Sequence, residues 1–177
     1  MQDWEAFLNE PKHDFVSGSS AMVPVSELAG KRIYKQYRAV VKSGNQILED
    51  CDDEKLHMLR IQCKKLRYLI QFFANLFPPR KISILVGQLK KLQDMLGKHN
   101  DLSVQVNYLF EIAKKIPANL SQLNKTLVAI GSLIGKLETE QLSVKESFAE
   151  TFTFFSSSQN QKLFRELFTL QSKMVIS

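Results

Sequence analysis

Four side chains that can carry positive charge recur at the spacing of one helix face. They are separated by three, four and three positions, and we call them the second basic row: His57, Arg60, Lys64 and Arg67. Arginine presents planar donors that match phosphate oxygens, and lysine presents a mobile point charge. At 1.5 Å per residue the row extends about 15 Å along a helix. Such a row is suited to binding a linear polyanion.

A similar set precedes it in the chain at spacings of four, three and four. We call it the first basic row: Lys31, Lys35, Arg38 and Lys42. Like charges at these spacings repel by a few tenths of a kcal/mol per pair, roughly, which is tolerated more readily if a ligand neutralises them. A solvated helix face is the alternative interpretation of this row taken alone. Two rows on consecutive helices favour a ligand, and we expect both rows to face one shared groove.

Both rows need helices to position them, and apolar residues at every third or fourth position predict such helices. The predicted ranges are 25–49, 54–77, 80–96, about 100 to 116, 119 to as far as 155, and 161–170. Gly97 is predicted to end the third helix, and Asn100 or Asp101 to cap the fourth. Gly131 and Gly135 are predicted to allow close helix packing. Alternation with a period of two is absent, so the sequence predicts an all-α, antiparallel helical bundle over 24–177, with 1–23 as a lead-in or linker.

The composition is typical of a globular chain, and the positive charge is concentrated in one part of the sequence. Of the 177 residues 44% are hydrophobic and 24% are charged. Residues 31–101 hold 15 Lys and Arg against 7 Asp and Glu, a net of +8, whereas the remaining residues hold 9 against 11, a net of −2. A concentrated positive field favours a polyanionic partner. No apolar run reaches the roughly 20 residues of a membrane span. Two cysteines are too few for a disulfide framework, so we expect a soluble, cytoplasmic protein.

Two sequence motifs surround the second basic row. Residues 56–73, LHMLRIQCKKLRYLIQFF, contain H-x-x-R-x-x-x-K-x-L-R-Y, and residues 89–101, LKKLQDMLGKHND, contain L-K-x-L-Q-x-x-L-G-x-x-N-D. Together they resemble the CHAD family, the conserved-histidine α-helical domain. The resemblance implies a helical, non-catalytic domain that binds inorganic polyphosphate in a basic groove. It implies ligand contacts at the second basic row and at Lys90, and by extension at the first basic row.

The chain departs from the family pattern in one respect. A full domain of this family resembles two related halves with a basic helix in each, whereas this chain resembles the second half alone, over about 24–172. We therefore expect either a homodimer or a partner in the form of a missing N-terminal half-domain.

Other functions were considered for the basic helices. Nucleic-acid binding is one alternative, but aromatic residues are not interleaved with the basic rows and no helix-turn-helix spacing appears. An accessory domain of a phosphate-processing enzyme is another.

The sequence predicts no enzyme, no metal and no cofactor. Gly97-Lys98 lacks the preceding glycine of a phosphate-binding loop. Cys63 lies on an apolar stripe, six residues from His57, a spacing that does not suit two metal ligands on one helix. For His57 the alternative to ligand contact is a hydrogen bond to a neighbouring helix.

Overall fold

The computed structural model describes residues 23–119 and 121–169 of the chain. These residues form six α-helices and one 3-10 helix, η1: α1 (Val25–Glu49), α2 (Asp53–Phe72), η1 (Ala74–Leu76), α3 (Pro79–Lys115), α4 (Leu123–Glu146), α5 (Phe148–Phe155) and α6 (Ser158–Thr169). No strand occurs within them, which confirms the all-α prediction. The predicted lead-in, 1–23, lies outside the described residues except for Val23, and so does Leu170 at the end of the last predicted helix.

The core forms where the apolar stripes of the helices meet. α1 packs between α2 and α6, and α2 packs against α3. Ile33, Leu59 and Leu89 are fully buried at the centre, one from each of the first three helices. On the α6 side the ring of Tyr37 stacks on that of Phe164, with centroids 3.7 Å apart. No helix in the described ranges is both long and apolar enough to cross a membrane.

The helix α3 is continuous through Gly97, so the prediction of two helices here was wrong. A glycine inside a helix costs only about 1 kcal/mol relative to alanine. Ending the helix would leave up to four carbonyls and four amides without helical partners. Leu96 and Leu102, on either side of the glycine, are buried and hold the helix in place. Asn100 is not a cap either, because its side chain bonds to α2.

Two other boundaries differ from the predicted ones. α2 ends at Phe72 rather than at 77, because the chain tightens into η1 before Pro78. The last long pattern divides at Ser147 into α4 and α5. Asp52, from the acidic cluster that precedes α2, accepts a hydrogen bond from the backbone N–H of Glu54 at 3.1 Å and so caps α2.

Close helix packing occurs at glycines other than the predicted pair. A Cβ atom at Gly30 would lie 2.5 Å from the backbone oxygen of Phe168, so only glycine lets α1 and α6 approach this closely. A Cβ atom at Gly131 or Gly135 would meet nothing within 4 Å. The packing prediction for Gly131 and Gly135 was therefore wrong.

Candidate functional site

The second basic row lies on the flank of α2 that faces α3. His57 Nδ1 and Asn100 Oδ1 are 2.9 Å apart, which fixes the register of these two antiparallel helices. Because both helices rise by 1.5 Å per residue, positions equally far from this pair lie at the same level. The register therefore pairs the following residues level by level: Arg60 with Gly97, Lys64 with Gln93, and Arg67 with Lys90. Lys90 thus extends the row from the opposite helix.

A groove of about 650 Å³, which we call the α2–α3 groove, runs along this flank. Arg60, Lys64 and Arg67 line its α2 side, and Gln93 and Gly97 are among the residues that line its α3 side. α4 closes the far side of the groove. His57 and Lys90 do not line the groove; by the register His57 lies level with Asn100, and Lys90 lies about one turn beyond Gln93 on α3. The structure therefore brings three cations of the row into one concavity.

The charges of this groove are only partly compensated. Lys98 and Glu140 form an ion pair within it, with Nζ and Oε1 2.7 Å apart. Asp94 and Asp101 also line the groove and reduce its positive potential. Nevertheless Arg60, Lys64 and Arg67 make no ion pair with any described residue. Three cations thus stay available beside carboxylates that do not pair with them.

The groove also contains buried polar atoms that lack partners. The Gln93 side chain is 8% exposed, and neither its amide nitrogen nor its amide oxygen forms a hydrogen bond with a described residue. The buried Nε of Arg67 is also unpaired, although the guanidinium lies 5.5 Å from the centroid of the Tyr68 ring. An unpaired buried group costs about 1–3 kcal/mol, so these atoms favour a bound species that would pair with them.

Gln93 lines the α2–α3 groove, although it was not singled out from the sequence as a candidate site residue. Gln93 occurs within the second motif, where it counted only as one position that matches the family pattern. The available signal was its position beside Leu89, Leu92 and Leu96 on the apolar stripe of α3. A polar residue there must find a partner or leave its amide unpaired.

The first basic row faces a different concavity, which we call the α1–α6 groove. Lys31, Lys35, Arg38 and Lys42 all line it, and α6 forms its other wall. The α1–α6 groove and the α2–α3 groove share no lining residue among those described. The expectation that both rows face one shared groove was therefore wrong.

The separation follows from how α1 and α2 pack. α1 contacts α2 along the edge that carries Gln36, whose Nε2 donates to the carbonyl of Gln62 at 3.2 Å. At 100° per residue the first basic row lies on the opposite side of α1 from its buried stripe, and so points away from α2. The second basic row in turn lies on the side of α2 away from α1. The first row alone is about equally compatible with a solvated face and with a ligand.

A polar network holds α2, α3 and α4 together beside the α2–α3 groove. His99, 3% exposed, has its Nε2 3.4 Å from Asp53 Oδ1 and 3.2 Å from Gln141 Nε2. Lys145 also donates to Asp53, at 3.2 Å. Burial lowers the pKa of His99, which outweighs the opposing effect of Asp53. His99 is thus a neutral, structural histidine at neutral pH.

The described residues hold little that could act as a nucleophile or a metal ligand set. Burial raises the pKa of the Cys63 thiol to about 12, which leaves it protonated and unreactive. No group of three or more His, Cys, Asp or Glu side chains in the described ranges is placed to hold a metal ion. What the α2–α3 groove offers to a ligand is the positive charge of Arg60, Lys64 and Arg67.

Comparison with known proteins bears on this arrangement. No curated protein matches the chain. A family model of the CHAD domain matches residues 1–109, more than half of the 177. The matched range contains both basic rows, Lys90 and Gln93, whereas α4, α5 and α6 lie outside it. The chain therefore belongs to the CHAD domain family.

Proposed function

We propose that this protein binds inorganic polyphosphate, without catalysis, in the α2–α3 groove. The observation that carries the proposal is the combination of unpaired cations and unpaired buried atoms in one groove. Arg60, Lys64 and Arg67 supply charge without ion-pair partners, and Gln93 supplies a buried amide without a hydrogen-bond partner. Phosphate oxygens would accept from Arg67 Nε and from the Gln93 amide nitrogen.

The spacing of the row suits a repeating anion. Successive cations on α2 are about 5 Å apart along the helix axis, and Lys90 continues the series from α3. Binding of this kind is dominated by the release of counterions, so the affinity should fall steeply as salt is added. Asp94 and Asp101 would weaken the binding of single phosphates more than that of a long polyanion, because the polyanion contacts more cations at once.

The decisive experiment removes two cations from the groove. In the double variant Arg60→Ala with Lys64→Ala, we expect retention on immobilised polyphosphate to be lost while the helical circular dichroism spectrum persists. The matched control is Lys35→Ala with Arg38→Ala, which removes the same charge from the first basic row. This control variant should still be retained on immobilised polyphosphate to most of the native extent. Unchanged binding in the first variant, or equal loss in both, contradicts the groove assignment.

Competition separates polyphosphate from nucleic acid as the ligand. Soluble polyphosphate should displace bound DNA or RNA at low concentration, whereas either nucleic acid should displace polyphosphate poorly. The reverse order of displacement would favour the nucleic-acid alternative.

We also propose that the protein forms a homodimer through the exposed face of α2. Four apolar side chains lie on this face, next to the second basic row, and all are at least 44% exposed: Met58, Ile61, Tyr68 and Phe72. A symmetric contact through them would cover apolar surface and bring a second copy of the row alongside the first. Light scattering should give twice the chain mass, and Ile61→Ser with Phe72→Ser should give the chain mass. A monomeric native chain contradicts the dimer and favours a separate half-domain as the partner.

A further inference from the structure

The α1–α6 groove has the size and the lining of a small-molecule site. Its volume is about 870 Å³, within the usual range for ligand pockets of about 300–1,000 Å³. It follows α1 from Glu27 to Asn45, about 27 Å at 1.5 Å per residue. The half-buried ring of Tyr34 lines it beside the cations, and a face that is only solvated does not require such a ring.

The charge along its edge is one-sided. Lys31 pairs with Glu27, Nζ to Oε1 at 2.7 Å, and Glu27 is the only acid among the described lining residues. Lys35, Arg38 and Lys42 are exposed and make no ion pair with a described residue. Three available cations in succession are suited to a short chain of phosphates.

The aromatic part of the lining lies beside these cations. Tyr34 is half-buried and lies between Lys31 and Arg38 on the same side of α1, whereas Phe168, across the groove on α6, is buried in the core. Tyr37 is 3% exposed, and its buried hydroxyl has no hydrogen-bond partner among the described residues. The groove therefore offers the partly exposed ring of Tyr34 next to a cationic edge.

We propose that the α1–α6 groove is a second binding site, and that its ligand is a nucleotide. The phosphates would contact Lys35, Arg38 and Lys42, and the base would lie against Tyr34. An inorganic polyphosphate would use the cations but leave the aromatic surface uncovered. This site is separate from the α2–α3 groove, so its occupancy does not depend on polyphosphate binding there.

The experiment is titration calorimetry at fixed ionic strength with ATP, tripolyphosphate and adenosine. ATP should bind at least tenfold more tightly than tripolyphosphate, which has the same number of phosphates but no base. Lys35→Ala with Arg38→Ala should weaken ATP binding at least tenfold. Arg60→Ala with Lys64→Ala, which removes equal charge from the other groove, should change it less than twofold.

A second pair of variants tests the ring without removing charge. Tyr34→Ala should weaken ATP binding several-fold, whereas Tyr34→Phe should retain it; cooperative thermal unfolding establishes that both are folded. Equal affinities for ATP and tripolyphosphate, an equal loss in the two charge variants, or no ATP binding by the folded native chain would overturn the proposal. Tighter binding of an acyl phosphate than of ATP would likewise overturn it, because the apolar surface would then serve an alkyl chain.

Discussion

The imidazole of His57 on α2 and the amide of Asn100 on α3 meet at 2.9 Å, Nδ1 to Oδ1, although both lie towards the surface. An amide oxygen only accepts, so Nδ1 carries the proton that is donated. The histidine of the first motif therefore joins the two helices of the α2–α3 groove, as the alternative interpretation of His57 predicted.

This hydrogen bond should contribute modestly to the free energy of unfolding. His57→Ala and Asn100→Ala should each lower it by about 0.5–1.5 kcal/mol, the usual net value of a hydrogen bond. The double variant should lose less than the sum, because the second substitution has no bond left to remove. Urea unfolding of the four proteins gives the coupling energy. Strict additivity would show that the contact does not form in solution.

Gln93→Leu should separate stability from binding. Leucine has a similar volume and removes two buried polar atoms that lack partners, so the free energy of unfolding should be unchanged or about 1 kcal/mol higher. Polyphosphate affinity should fall several-fold, because a donor in the groove is lost.

The control for this variant is Gln88→Leu, since Gln88 also has a buried, unpaired side-chain oxygen but does not line the α2–α3 groove. Its polyphosphate affinity should stay within twofold of the native value. A native affinity in Gln93→Leu would show that the amide serves packing alone.

The contact between α1 and α6 should make Gly30 intolerant of substitution. In Gly30→Ala the new Cβ atom would lie 2.5 Å from a backbone oxygen of Phe168, and a backbone cannot rotate away as a side chain can. We expect a loss of about 1–3 kcal/mol in the free energy of unfolding, the usual range for overpacking.

Gly87→Ala is the matched change in open space. Nothing lies within 4 Å of its Cβ position, and the residue is inside α3, past its first two turns. Alanine should therefore stabilise the protein by up to about 1 kcal/mol through helix propensity. Equal effects of the two substitutions on thermal unfolding would contradict the close approach of α1 and α6.

The sequence was sufficient for the helices because their apolar stripes are regular. Ile33, Tyr37 and Val40 on α1, for example, recur at helical spacing and are all buried. It was insufficient at Gly97, where a small local preference for ending a helix was outweighed by the burial of Leu96 and Leu102. Local propensity does not include such tertiary contacts.

The direction of each basic row could be derived from the sequence, but not its surroundings. The angle between Arg60 and the buried stripe of α2 follows from 100° per residue. The periodicity of α2 does not show whether α1 or α3 packs against that flank, because the pattern is the same in both cases. The structure has α3 on the side of the second basic row, and α6 beside the first. The separation of the rows is thus a property of the tertiary packing.

The pH dependence of stability should report on His99. Its pKa is below the ordinary value of 6.5 because the imidazole is buried, and Lys145 lowers it further while Asp53 opposes the shift. Below about pH 6.5 the unfolded chain binds a proton that the folded chain does not, so stability falls as the pH falls. The stability that depends on a neutral His99 is fully present above pH 7. It is lost progressively as the pH falls towards the pKa that His99 has in the folded chain.

The variant His99→Gln tests this sign, because glutamine can still bond to Asp53 and Gln141 but does not titrate. The two proteins share every other titratable group, so the informative quantity is the difference in the free energy of unfolding between native and variant chains. That difference should shift in favour of the variant between pH 7.5 and pH 5.5, since only the native chain loses the contribution of a neutral buried imidazole. Urea unfolding at the two pH values measures it. A constant difference would mean that folding leaves the pKa of His99 unchanged, and a shift in favour of the native chain would mean that Asp53 raises it; either result contradicts the prediction.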